Sequence, residues 1–109
     1  DYEQFKKFGT YDHNFVINGP GLREAAVPQS KETGIRMTCF TDQPGLQLYV
    51  ANQPMKLPGK EGVPYAEHSR VFLETQHFPD AINHGNFPSI VLHPGEDFRS
   101  KTLYHFSTF

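Results

Sequence analysis

At 109 residues the chain has the length of one domain able to bury its own core. A formal charge of −2, with no basic run or stripe, speaks against nucleic acid or a membrane surface as partner. No apolar segment approaches the ~20 residues that span a bilayer, and the polar opening "DYEQFKK" does not resemble a signal peptide.

Apolar residues make up only 37% of the chain, but ten Phe and five Tyr supply large buried area per side chain. Nine Gly and nine Pro imply many turns between short elements. Cys39 is the only cysteine. An intrachain disulfide is therefore excluded, and a reducing, cytoplasmic setting is expected.

Along the chain the apolar pattern has period two. A short run at "NFVIN" follows "YDH", where Asp12 stands just before the strand. In "GIRMTCFT", Ile35, Met37 and Cys39 alternate with Arg36 and Thr38, as in a half-buried strand. In "GLQLYV", Leu46, Leu48 and Val50 take one face and Gln47 and Tyr49 the other. The longest loop runs from Asn52 to Ser69, and its length points to function or mobility. "RVFLETQ" sets Val71, Leu73 and Thr75 against Phe72, Glu74 and Gln76, and "SIVLH" reads as another short strand. The last strand lies in "FRSKTLYHFSTF". Turn signals such as "NGPG", "DQPG" and "HPGED" separate these runs, and no window of helical length carries an apolar stripe. The expected fold is all-β, an antiparallel β-sandwich or part of one, without an internal domain boundary.

The six histidines contain no HxH, HxxxH or HExxH, and a lone cysteine offers no paired thiolate, so no metal site is assigned. "GPG" and "PGK" lack the strand-to-helix context that would cradle a phosphate. Cys39 falls on the apolar face of its strand, where a thiol is normally inert. What remains are polar residues in strand settings: Asp12, Gln47, and Glu74 with Gln76 on the face of Phe72. A carboxylate such as Glu74, flanked by apolar side chains, is commonly a solvent-facing strand position. It can also be a base in a poorly solvated pocket. Polar atoms beside aromatic rings suit a sugar, which has hydroxyl edges and apolar C–H faces.

"YDHNFVIN", "TDQPGLQLYVAN" and "FLETQHFPDAINHGNFPSIVLHPGEDFRSKTLYHFS" resemble, in order, successive motifs of the aldose 1-epimerases, the galactose mutarotases. The resemblance runs through nearly the whole chain. It implies that residues 1–109 form one partial domain, the C-terminal segment of a larger mutarotase-like β-sandwich. It also implies three roles. Glu74, in "ETQHFPD", is the general base that takes the anomeric proton. Asp12, in "YDHNF", accepts hydrogen bonds from sugar hydroxyls. Gln47, in "PGLQLY", contacts the sugar near the reacting carbon. The substrate is a hexose such as galactose or glucose, and ring opening by acid–base chemistry needs no cofactor.

The sequence departs from the family pattern in two places. The family's general-acid histidine belongs upstream of "YDHNF", and neither His13 nor His77 matches its position. "YVAN" also replaces the usual "YTGN". The expected partners are therefore an N-terminal remainder of the same protein or a second copy joined through exposed sheet edges. The competing reading is a non-catalytic carbohydrate-binding or structural β-module. A phosphorylated hexose would call for clustered cations, whereas Arg23, Arg36, Arg70 and Arg99 are scattered.

Overall fold

The computed structural model describes residues 2–53 and 57–109. Residues 54–56, inside the long loop after Asn52, lie outside that description. The chain divides into two compact units, one of Asp1–Phe15 with Gln47–Glu74, the other of Val16–Leu46 with Thr75–Phe109.

A helix absent from the period-two reading, α1 (Tyr2–Phe8), opens the chain. Glu3 in its first turn and Lys6 and Lys7 in its last suit the helix dipole, and Glu and Lys are good helix formers. Seven residues are too few to show an apolar stripe, which is why the helix escaped the pattern. Gly9 ends it: at φ +69° its N–H donates to the Phe5 carbonyl at 2.7 Å, the left-handed cap that glycine adopts without strain. The Phe5 ring lies 5.5 Å from Tyr11 and 6.2 Å from His68.

Seven strands follow: β1 (Asp12–Val16), β2 (Arg23–Ala26), β3 (Gln29–Ser30), β4 (Ile35–Thr41), β5 (Gly45–Val50), β6 (Val71–Gln76) and β7 (Thr102–Thr108). They form antiparallel sheets, the all-β class that the alternation indicates. No helix among the described residues is long and apolar enough to cross a membrane.

The first unit is built on the sheet β1-β5-β6. Val50 N–H donates to the Tyr11 carbonyl at 2.9 Å where β5 ends and β1 begins. The buried Thr10 hydroxyl donates to the Val50 carbonyl and fastens the same end. Ala51 N–H donates to the Arg70 carbonyl at 3.0 Å, joining the end of β5 to the start of β6.

In the second unit β4 is the central strand. β2 and β3 follow one another along one edge, with Arg23 opposite Thr41 and Ser30 opposite Ile35. β7 pairs all seven residues of β4, from Ile35↔Thr108 to Thr41↔Thr102. Pro28, which has no N–H to give a ladder, separates β2 from β3 while its carbonyl accepts from Met37 N–H at 2.9 Å. Arg23 fixes the preceding turn: its guanidinium donates to the carbonyls of Ile17, Asn18, Gly21 and Thr41 at 2.9–3.2 Å. With its donors so engaged, Arg23 is a backbone staple and a poor anchor for a phosphate.

Cys39 is fully buried in β4, and burial pushes its thiol above the usual range, in keeping with an inert cysteine. Beside it the unit holds a polar chain. Thr41 Oγ1 accepts from Gln43 N–H at 3.0 Å and meets Thr102 Oγ1 at 3.3 Å, and Thr102 meets Thr75 Oγ1 at 2.6 Å. Gln43 donates to Ser100 Oγ at 2.8 Å, and its Oε1 accepts from His77 Nδ1 at 2.8 Å. Thr41 and Gln43 are buried, so these bonds satisfy groups that would otherwise be left unpaired.

One expected strand is absent. Residues Ser89 to His93, "SIVLH", form no strand. Their composition favours β structure, but Pro88 and Pro94 bracket them and none of the sheets takes them as a neighbour. A strand's N–H and C=O groups need a partner strand, and without one Ile90, Val91 and Leu92 stay exposed.

Candidate sugar site

Asp12 is the first residue of β1, Gln47 the third of β5 and Glu74 the fourth of β6, so three adjacent strands each supply one candidate residue. The side chains also share a face. Gln47 Nε2 donates to Asp12 Oδ1 at 2.7 Å, which puts those two on one side of the sheet. Tyr49, two residues beyond Gln47, projects to the same side by strand alternation. Its ring stacks on Phe72 at 5.5 Å between centroids and 28° between planes. Phe72 and Glu74 are likewise two apart on β6. The ring pair therefore places Glu74 on the face that carries Gln47 and Asp12.

Asp12 and Glu74 are both exposed, and Gln47 is half-buried. Glu74 is thus a carboxylate open to solvent in this structure, the strand-surface setting that its apolar neighbours in sequence left undecided. Gln47 is different. Its Nε2 is engaged by Asp12, while its Oε1 is buried and has no hydrogen-bond partner among the described residues. A buried acceptor without a donor calls for an explanation, and a ligand hydroxyl would provide one.

Beside these residues lies a cavity of about 430 Å³, lined by Phe8, Thr10, Asp12, His13, Tyr49 and Asn52. That volume falls within the range of small-molecule sites. Its lining mixes a carboxylate, an amide, a histidine and two aromatic rings. Asp12 N–H donates to His13 Nδ1 at 3.1 Å, and Tyr49 Oη donates to Asn52 Oδ1 at 3.4 Å.

A sequence profile of the family described as aldose 1-epimerase matches residues 3–105. The chain belongs to the aldose 1-epimerase family. It is 38% identical over 99 residues to the galactose mutarotase of Homo sapiens and 39% identical over 99 residues to that of Bos taurus, each time covering 89% of this chain and 29% of the relative. It is 33% identical over 105 residues to the aldose 1-epimerase of Escherichia coli (strain K12), covering 93% of this chain and 30% of that protein. The chain thus spans less than a third of the length of these curated relatives.

Within this family member, Asp12 and Gln47 are in direct contact, and Glu74 joins their sheet face. Tyr49 and Asn52, which line the cavity, were not assigned from sequence. Tyr49 left a usable signal there: it has the same strand parity as Gln47. Asn52 left none, since it stands in the loop after β5 where alternation no longer applies.

Proposed function

We propose that this chain carries part of the site of an aldose 1-epimerase acting on hexoses such as galactose or glucose. Glu74 accepts the proton of the anomeric hydroxyl as the bond from C1 to the ring oxygen breaks. The ring oxygen takes a proton from an acid, assigned to a histidine outside these 109 residues. The open-chain aldehyde turns about the C1–C2 bond and recloses with the protons returned, giving the other anomer. Atoms and charge balance with no redox partner and no cofactor. Asp12 and Gln47 hold the sugar: the carboxylate accepts from hydroxyls, and the free Gln47 Oε1 meets another.

The observation that carries this reading is the convergence of Asp12, Gln47 and Glu74 on one face of three adjacent strands, with the first two hydrogen-bonded. Glu74→Gln tests it, because the change removes the proton acceptor and keeps the size. A base of this kind contributes ~10²–10⁴-fold, so polarimetry on the whole enzyme should show a loss of that order with the fold intact. A near-normal rate would end the assignment. The exposure of Glu74 favours a second reading, a sugar-binding β-module without catalysis. In that case Glu74→Gln changes neither binding nor stability beyond ~0.5 kcal/mol.

A further inference from the structure

Resting on the sugar-site reading, we propose that His68 is a positioning residue of the site: it clips the end of α1 to the end of β5 and so sets the spacing of the cavity's two walls. Phe8 and Thr10 line the cavity from the α1 side, and Tyr49 and Asn52 from the β5 side. Gly9 lies between the first pair, and Ala51 just before Asn52. His68 is bonded to both Gly9 and Ala51. Its ring Nε2 lies 3.0 Å from the Gly9 carbonyl oxygen, and its backbone N–H donates to the Ala51 carbonyl. A carbonyl only accepts, so Nε2 carries the proton and donates.

The return end of the long loop is built to present this ring. The Ser69 hydroxyl donates to the Ala66 carbonyl at 2.7 Å and tightens the turn that carries His68. The Arg70 guanidinium donates to the Gln53 carbonyl at 2.7 Å, and Ala51 N–H to the Arg70 carbonyl at 3.0 Å, which closes the base of the loop beside β5. The Phe5 ring, on the helix that Gly9 ends, lies 6.2 Å from the His68 ring. His68 itself has φ +57°, in the left-handed region that a side chain makes unfavourable. Such a conformation persists where surrounding bonds hold it, and it gathers at sites where geometry serves a ligand.

The clip bears on binding more than on proton transfer. Asp12 stands two residues after Thr10, so freedom gained at Gly9 passes into the carboxylate that accepts from sugar hydroxyls. Glu74 stands on β6, separated from β1 by β5, so loosening α1 leaves the base in place. The bond from His68 to Gly9 is exposed, and loss of such a bond corresponds to about a two- to fivefold loss of affinity.

The test is made on the whole enzyme, with KM and kcat from polarimetry and titration of methyl β-galactoside, which cannot open its ring and so reports binding apart from catalysis. Three variants separate the roles. His68→Phe keeps a ring beside Phe5 and removes the donor. His68→Gly removes the donor and also relieves the left-handed backbone, so it should melt closer to the unaltered enzyme than His68→Phe does. His68→Gln restores an N–H that can reach the Gly9 carbonyl. Both donor-less variants should raise KM and weaken the galactoside about two- to fivefold with kcat nearly unchanged, and His68→Gln should recover most of the loss. A clip that serves stability alone makes binding follow the melting temperature, so normal binding by His68→Gly overturns the proposal and leaves the sugar site standing. A fall in kcat without a change in binding, or His68→Gln no better than His68→Phe, overturns it as well. Failure of the unaltered enzyme to bind the galactoside overturns the sugar site and this proposal with it. If His68→Phe fails to fold, His68→Gly and His68→Gln still decide.

Discussion

Gln47 Nε2 donates to Asp12 Oδ1 at 2.7 Å across two neighbouring strands, 35 residues apart in sequence. The bond orients both groups: it fixes which way the Gln47 amide faces and leaves Asp12 one carboxylate oxygen to accept from a ligand. Asp12→Ala and Gln47→Ala should therefore not act independently on sugar binding. Each single change should weaken binding of methyl β-galactoside, and the double variant should lose clearly less than the two losses combined. Hydrogen bonds to a charged group are worth about 1.5–3 kcal/mol at best, and exposure of this pair places its coupling nearer 1 kcal/mol. Additive losses in a calorimetric cycle would show that the two residues act separately.

A second prediction concerns the hydroxyl chain in the other unit. Thr41 is fully buried and its Oγ1 serves both Gln43 N–H and Thr102. Thr41→Val has almost the same shape and removes only the oxygen. It leaves the buried Gln43 N–H without its acceptor, which costs about 1–3 kcal/mol. The urea midpoint should fall accordingly with an unchanged slope. A loss under ~0.5 kcal/mol would mean that the Gln43 N–H finds another acceptor at little cost.

The main strands were legible because their residues alternate. β4, β5, β6 and β7 all fall within runs where parity separates the two faces, and the turn residues between them are unambiguous. β2 was not legible: "REAA" has weak β propensity, and its conformation comes from pairing with β4, a contact no local pattern reveals. "SIVLH" failed in the opposite sense, since strong propensity met no partner strand. The same division holds for the site. The residue types of Asp12, Gln47 and Glu74 stand out in sequence, but their shared face rests on the Tyr49–Phe72 stack and the Asp12–Gln47 bond, both made between strands.

Asp42 supplies a prediction in pH. Its carboxylate accepts Lys101 N–H at 3.0 Å and the Ser100 hydroxyl at 3.2 Å. The Lys101 bond, chiefly, holds it below the usual carboxylate range, with Ser100, its own N–H and Arg23 adding to the effect and partial desolvation opposing it. A carboxyl that is more acidic folded than unfolded stabilises the fold above its unfolded value. That stability is lost as pH falls through the folded value. Asp42→Asn should lower the urea midpoint at neutral pH and make the protein less sensitive to pH across the acid limb, where the two curves converge. Curves that remain parallel down to the end of that limb would remove Asp42 from the acid response.

The last prediction concerns β7. β4 covers one of its edges, and among the described residues no strand is paired to the other. Leu103, Tyr104 and Phe106 are exposed along it, Phe106 at 64%. An open edge with large apolar side chains is a template for another strand, and natural edges are commonly blunted with lysine. Among the described apolar residues, by contrast, only Cys39, Leu46, Ala51 and Ala81 are buried, so much of their apolar surface is open to solvent. The 109-residue chain by itself should therefore associate with a second copy, and its weight-average mass in sedimentation should rise with concentration. Phe106→Lys adds a charge on the exposed strand without touching a buried side chain and should suppress that rise while leaving the β signature in circular dichroism. Sedimentation of the unaltered chain as a monomer at every concentration would show that β7 does not act as a pairing edge.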